Sequence, residues 1–142
     1  MGDVFSKEKR SDVMSKIRSK NSKPELLIRS FLFSNGFRFR IHNKKLPGKP
    51  DIVLKKWRTV IFVHGCFWHG HEDCTISHMP KSNEDYWEPK INGNITRDTV
   101  NKNYLEADGW KVIIVWECEI RNKNLREQRL LKLVDEITLP IS

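Results

Sequence analysis

The run Thr59-Val60-Ile61-Phe62-Val63-His64-Gly65-Cys66-Phe67-Trp68-His69-Gly70-His71 organises the reading of the whole chain. Its first five residues are all β-branched or aromatic. They are apolar at odd and even positions alike, which predicts a strand over Thr59–His64 buried on both faces and therefore central in its sheet. Working backward, Lys55–Arg58 reads as a turn and Asp51-Ile52-Val53-Leu54 as a short strand. Leu46-Pro47-Gly48-Lys49-Pro50 is another turn. Before it, Phe37, Phe39 and Ile41 alternate with Arg38, Arg40 and His42, the period of a half-buried strand. Three strands joined by short turns predict an antiparallel meander. A helix precedes them: Ser22 can cap, Pro24 suits a first turn, Glu25 holds the capping-box position, and Asn35-Gly36 ends it. Leu27, Ile28, Phe31 and Leu32 form its apolar stripe.

Forward of the central strand, residues 65–96 read as a long irregular loop rich in Gly, His, Trp and Pro. Loops of that length in a small domain are usually functional or held by something. Arg97–Asp108 predicts a helix stopped by Gly109, with Val100, Tyr104 and Leu105 on one side. Lys111–Trp116 predicts a buried strand, and Asn124–Glu136 a last helix turning Leu130, Leu131, Val134 and Ile137 inward. The order α-β-β-β-loop-α-β-α implies a mixed α/β sandwich.

The chain has 142 residues, the size of one domain with short arms. Its hydrophobic content of 38% excludes a disordered chain, and its longest apolar run, Val112–Trp116, is far too short for a bilayer span. The charged N-terminus carries no apolar signal region. Lysine and arginine exceed aspartate and glutamate by 26 to 18, a net charge of +8. Nucleic acid is the commonest partner of such a balance, and a membrane surface is the other class. Residues 1–22 hold many of the cations, with Val13, Met14 and Ile17 at helical spacing, and read as a basic arm. Residues 23–142 form the domain.

Cys66, His69, His71 and Cys74 fall within nine positions, and Cys118 follows the last strand directly. Three cysteines and one histidine suit a closed tetrahedral zinc site, which is structural and leaves no position for substrate. His69 and His71 compete for the fourth place, and loop closure from Cys66 favours His71. Buried thiols with solvent histidines are the plain alternative. Metalloprotease, deaminase, P-loop and dinucleotide-binding spacings are all missing.

Asp51 opens an apolar strand. An Asp there is commonly a turn residue, but Glu25 on the first helix and the exit of the third strand are placed to join it around Mg²⁺, whose ligands are oxygens. His69 could then take a proton from an attacking water. Phe67-Trp68, pinned between metal ligands, and Trp87 are candidates for wedges that unstack bases, although aromatics more often pack cores.

Val60-Ile61-Phe62-Val63-His64-Gly65-Cys66-Phe67-Trp68-His69, with Leu46-Pro47-Gly48-Lys49-Pro50-Asp51 before it and Trp116-Glu117-Cys118 after it, closely resembles the very-short-patch-repair (Vsr) DNA mismatch endonucleases. The resemblance runs from the arm to Cys118. It implies a restriction-endonuclease-like mixed β-sheet flanked by helices, with a structural zinc site. It also implies a Mg²⁺-dependent nick 5′ of the thymine in a T:G mismatch left by deamination of 5-methylcytosine. By motif match, Asp51 and the Val63 backbone carbonyl would hold Mg²⁺, His69 would be the general base, and Glu25 would support cleavage. Cys66, His71, Cys74 and Cys118 match zinc ligands. Phe67, Trp68 and Trp87 match intercalating aromatics, Met14 matches an arm residue entering from the other groove, and Lys90 and Asn94 match the pair that reads the bases. Two residues, Glu72 and Asp73, stand between His71 and Cys74 where the family pattern has one, and Val63 stands where it has Thr. The implied partner is double-stranded DNA carrying the mismatch, bound by a monomer, with mismatch-repair proteins as further partners and the bacterial cytoplasm and nucleoid as the location. A nuclease of related fold cutting matched DNA, or a non-enzymatic zinc-stabilised DNA-binding module, are the alternative readings.

Overall fold

A computed structural model describes residues 22–66, 69, 71 and 84–139, with only the backbone of 84 and 85. Apart from Ser22, the expected arm lies outside the described residues, as do Met14, Phe67, Trp68 and Cys74.

Helix α1 spans Lys23–Ser34. The Ser22 hydroxyl accepts the Glu25 N–H at 3.4 Å, as a cap should. The Glu25 carboxylate, however, is engaged by Arg29 and His42 rather than spent on the cap. Gly36, at φ 87°, reverses the chain, and the Phe37 N–H closes on the Leu32 carbonyl at 3.0 Å. This turn buries the Phe37 ring against Trp57, with centroids 5.9 Å apart. The strand expected over 37–42 shrinks to β1, Arg40–Ile41, because β2, Ile52–Leu54, offers so little length to pair with. The alternation holds at Phe37 and Phe39, whereas Ile41 is 41% exposed.

After a 3₁₀ turn at Lys55–Trp57, β3 covers Thr59–His64. β1, β2 and β3 are antiparallel neighbours, and β3 pairs in parallel with β4, Lys111–Trp116. The sheet order β1-β2-β3-β4 makes β3 an interior strand, as its two-faced apolar pattern requires.

A parallel pair needs a crossover, and helix α2, Glu84–Ala107, supplies it. It starts 13 residues before the Arg97 expected from sequence, so Trp87, Lys90 and Asn94 stand on a helix rather than in a loop. Leu105 is buried as expected, but Val100 is exposed and Tyr104 is 65% exposed. Gly109, at φ 87°, ends the segment. A short helix that the sequence reading does not contain, α3 at Glu117–Arg121, follows β4 without a break. Helix α4, Lys123–Thr138, is capped by the Asn122 side chain. It buries Leu130, Leu133 and Ile137, while Leu131 turns outward at 55% exposure.

The two sheet faces are covered separately. Ile52, Leu54, Ile61, Ile113 and Val115 pack with Ile28 and Leu32 of α1, Ile120 of α3, and Leu130, Leu133 and Ile137 of α4. Val53 and Val60 on the other face pack with Leu105 of α2 and Trp110. The result is an α/β/α sandwich in which, among the described residues, α2 is the only helix on its side. No helix among the described residues is long and apolar enough to cross a membrane.

Candidate active site and metal centres

The β3–β4 register builds the first cluster. His64 pairs with Trp116, so both strands end at the same level. Cys66 and Cys118 each lie two residues past that level, which brings them together although 52 positions separate them. Beyond β3 the chain curls: the His69 N–H donates to the Gly65 carbonyl at 3.1 Å and the His71 N–H to the Cys66 carbonyl at 3.0 Å. This brings His71 Nδ1 to 3.5 Å from Cys118 Sγ and stacks its ring on Trp116, with centroids 4.1 Å apart at 8°. The ligand atoms of Cys66, His71 and Cys118 lie within 4.8 Å of one another. Zinc bonds of about 2.3 Å to sulfur and 2.1 Å to nitrogen, at tetrahedral angles, set an S···N edge of about 3.5 Å. The three residues therefore fit zinc.

His69 goes elsewhere. Its Nδ1 lies 2.5 Å from Asp98 Oδ2 on α2, and its ring stacks on His64, with centroids 3.8 Å apart at 4°. A carboxylate on Nδ1 fixes the tautomer that leaves the Nε2 lone pair for a proton. His64 is only 4% exposed, and its Nδ1 finds no hydrogen-bond partner among the described residues. Burial, and then the His69 charge, push its pKa down to about 4, so it stays neutral. His64, His69 and Asp98 also lie within 4.8 Å of one another. Stacked imidazoles nevertheless make a poor shared metal site. Their lone pairs lie in parallel planes, and an ion about 2.1 Å from both nitrogens would sit well outside each plane. This triad suits proton handling instead.

The second carboxylate cluster is Glu25, His42 and Asp51, again within 4.8 Å. Asp51 Oδ2 accepts the Val63 N–H at 2.7 Å. In an extended strand a residue's N–H and C=O point to the same side, so the Val63 carbonyl is turned toward Asp51 as well. Glu25 is 2% exposed; Arg29 donates to its Oε2, and His42 Nε2 lies 3.0 Å from the same oxygen. Burial is the main cause that raises the Asp51 carboxyl to about 7; the neighbouring Glu25 raises it further, while the Val63 N–H and the Arg29 charge pull the other way. Two carboxylates held together, Glu25 buried and Asp51 half-buried, are a fitting cradle for a hard cation, which would relieve both their repulsion and their partial desolvation.

Lys90, Asn94 and Asp98 recur every four residues along α2, so they share one stripe. Asn94 Oδ1 meets the Arg97 guanidinium, and Lys90 Nζ lies 4.6 Å from the Tyr86 ring. Tyr86 meets the half-buried Trp87 edge to face at 4.9 Å. Sequence reasoning missed His64, Asp98 and His42. The one available signal was His64, a polar residue closing an otherwise apolar strand. Asp98 and His42 look like ordinary surface residues until the topology places them.

Comparison with known proteins matches the sequence to one family. The family model for DNA mismatch endonuclease Vsr matches residues 2–75. The chain is 56% identical over 137 residues to the type II nicking enzyme V.NmeAIP of Neisseria meningitidis, covering 96% of this chain and 97% of that protein. It is 50% identical to V.XorIIP of Xanthomonas oryzae, over 95% of this chain and 98% of the relative. It is 38% identical to the DNA mismatch endonuclease Vsr of Escherichia coli, over 96% and 87%. This chain therefore belongs to the Vsr family of DNA mismatch endonucleases.

Proposed function

We propose that the protein is a Mg²⁺-dependent DNA endonuclease that nicks one strand 5′ of the thymine in a T:G mismatch arising from deamination of 5-methylcytosine. The observation that carries this reading is the pairing of His69 Nδ1 with Asp98 at 2.5 Å, together with a cluster that joins the buried Glu25 to the half-buried Asp51. Both groups are tied to consecutive residues at the end of β3: His64 stacks on His69, and Val63 donates to Asp51. Membership of the Vsr family supports the choice of DNA as substrate.

In this reading Asp98 holds the His69 ring, and Nε2 takes a proton from water. The water oxygen forms a bond to phosphorus, and the bond from phosphorus to the 3′ oxygen breaks. That oxygen takes up a proton from solvent and leaves as a 3′-hydroxyl, and the 5′-phosphate stays on the thymidine side. Asp51, the Val63 carbonyl and Glu25 would hold Mg²⁺, which supplies charge neutralisation at the scissile phosphate. Cys66, His71, Cys74 and Cys118 would hold Zn²⁺ and pin the intervening residues. Phe67, Trp68 and Trp87 would enter the base stack, with Met14 entering from the opposite groove. A T:G pair presents guanine O6 and thymine O4 in the major groove, acceptors that suit the donor groups of Lys90 and Asn94. Chromosomal DNA as substrate implies work at the bacterial nucleoid.

The test is a nicking assay on T:G, A:C and fully paired duplexes, with and without Mg²⁺. One cut 5′ of the thymine, in T:G duplex with Mg²⁺ only, is expected. Double-strand cleavage of paired DNA would mark a restriction or homing nuclease. Intact strands in every lane would mark a binding module.

A further inference from the structure

His42 ends β1 in the left-handed region at φ 49°, a conformation that costs an ordinary residue free energy. What the chain gains there is a double attachment. The His42 N–H donates to the Asp51 carbonyl at 3.1 Å, extending the backbone pairing one step past the strand. Its side chain turns the other way, and Nε2 meets Glu25 Oε2 at 3.0 Å. One residue thus ties the segment carrying Asp51 to the helix carrying Glu25. Arg29 and His42 both engage the same Glu25 oxygen, which fixes the rotation of a carboxylate that is almost fully buried. At 3.0 Å, His42 Nε2 is within hydrogen-bonding reach of that oxygen, and an imidazole N–H there can donate to it.

We propose that His42 is a positioning residue for the divalent-cation site: it orients the Glu25 carboxylate and sets its spacing from Asp51. The inference rests on the reading of Asp51 and Glu25 as cation ligands. Partners that hold a ligating carboxylate from behind typically govern metal affinity by 10- to 100-fold, without touching metal or substrate. A hydrogen-bond donor at position 42 is the chemical requirement. Glutamine meets it, and leucine of similar bulk does not.

The test is Mn²⁺ binding to the zinc-containing protein without DNA, followed by electron paramagnetic resonance of the free ion, for wild type, His42→Gln, His42→Leu and Asp51→Ala. Gln and Leu bear the same left-handed backbone, so their difference isolates the donor. The expected result is a 10- to 100-fold weaker Mn²⁺ affinity for His42→Leu and near wild-type affinity for His42→Gln. T:G duplex binding without cation and zinc content should be unchanged in both. Wild-type Mn²⁺ affinity in His42→Leu, or equal weakening in both variants, overturns the inference. Wild-type affinity in Asp51→Ala overturns the cation-site reading beneath it, and the two failures are therefore distinguishable.

Discussion

Replacing Asp51 by Asn should make the protein more stable at neutral pH, and the gain should grow with pH in a defined window. Asp51 titrates near 3.8 when exposed and at about 7 in the folded protein. The fold therefore holds that proton more tightly than the unfolded chain does. Its contribution is full below about pH 4 and is lost as pH rises through about 7, at about 1.4 kcal/mol per pH unit. Across that window the total is about 4 kcal/mol. Asn carries no such titration and keeps an oxygen for the Val63 N–H, which Asp51 now accepts at 2.7 Å.

His64 works in the opposite sense. Its pKa falls from 6.5 to about 4, so its contribution is present above about 6.5 and is lost as pH falls through about 4. That is worth about 3 kcal/mol. Between pH 4 and 6.5 the two slopes oppose each other, and wild-type stability is flattened over that range. The charged and titratable groups facing Asp51 are Glu25, Arg29 and His42, and those facing His64 are His69 and Asp98. Urea unfolding without added Mg²⁺, from pH 5 to 8, measures the effect as the stability of the Asp51→Asn variant minus that of wild type. That difference cancels everything the two proteins share, His64 included. It should rise by about 2 kcal/mol from pH 5 to 7 and level off towards pH 8. Saturating Mg²⁺ at pH 7.5 should stabilise wild type alone and erode the advantage. A difference that does not vary with pH would refute a proton-holding, half-buried Asp51 and, with it, the cradle argument.

Three further outcomes follow from the geometry. Asp98→Asn should lower nicking by roughly two to four orders of magnitude while leaving T:G duplex binding intact, since it removes only the carboxylate on His69 Nδ1; gel-shift and single-turnover nicking assays separate the two. His71→Ala should lose zinc, whereas His69→Ala should keep it and be nearly inactive, a contrast that metal analysis reads directly. Gly48→Ala should destabilise the fold and slow nicking together, because Gly48 sits at φ 76° and a Cβ there would lie 3.0 Å from the Asn101 side chain and 3.1 Å from the Phe62 ring; thermal melts and rate measurements check both.

What could be read from the chain depended on whether local pattern or topology supplied the information. β3 was legible because its apolar residues occupy both faces, and β4 for the same reason. Helix α2 was half missed because Pro89, Asn92, Gly93 and Asn94 all disfavour helix interiors. Tertiary packing overrides them: Ile91 is buried. The Thr96 and Thr99 hydroxyls also donate to carbonyls four residues back, so their polar groups are satisfied within the helix. Helix α3 is too short to show a period. The Cys and His cluster stood out because those residue types are rare and closely spaced. The partnership of His69 with Asp98 could not stand out, because 29 positions separate the two and only the parallel crossover brings α2 back across the end of β3.

That crossover bears on where selectivity can arise. Lys90, Asn94 and Asp98 are spaced four residues apart on one helix, about 6 Å per step along its axis. The proposed base-reading groups and the carboxylate that orients the proposed base are thus parts of one rigid element. The fold itself pairs His69 with Asp98 and stacks it on His64. Binding a mismatch need not assemble that dyad. If the proposed T:G specificity holds, discrimination would come from the DNA side: how readily a base step opens to the proposed aromatic wedges, and whether the scissile phosphate reaches the proposed base. Unstacking costs a few kcal/mol per step, and least at a mismatch. A well-paired duplex would therefore fail by not delivering its phosphate, and its discrimination would appear as slower productive binding rather than as a different pH dependence of the cut.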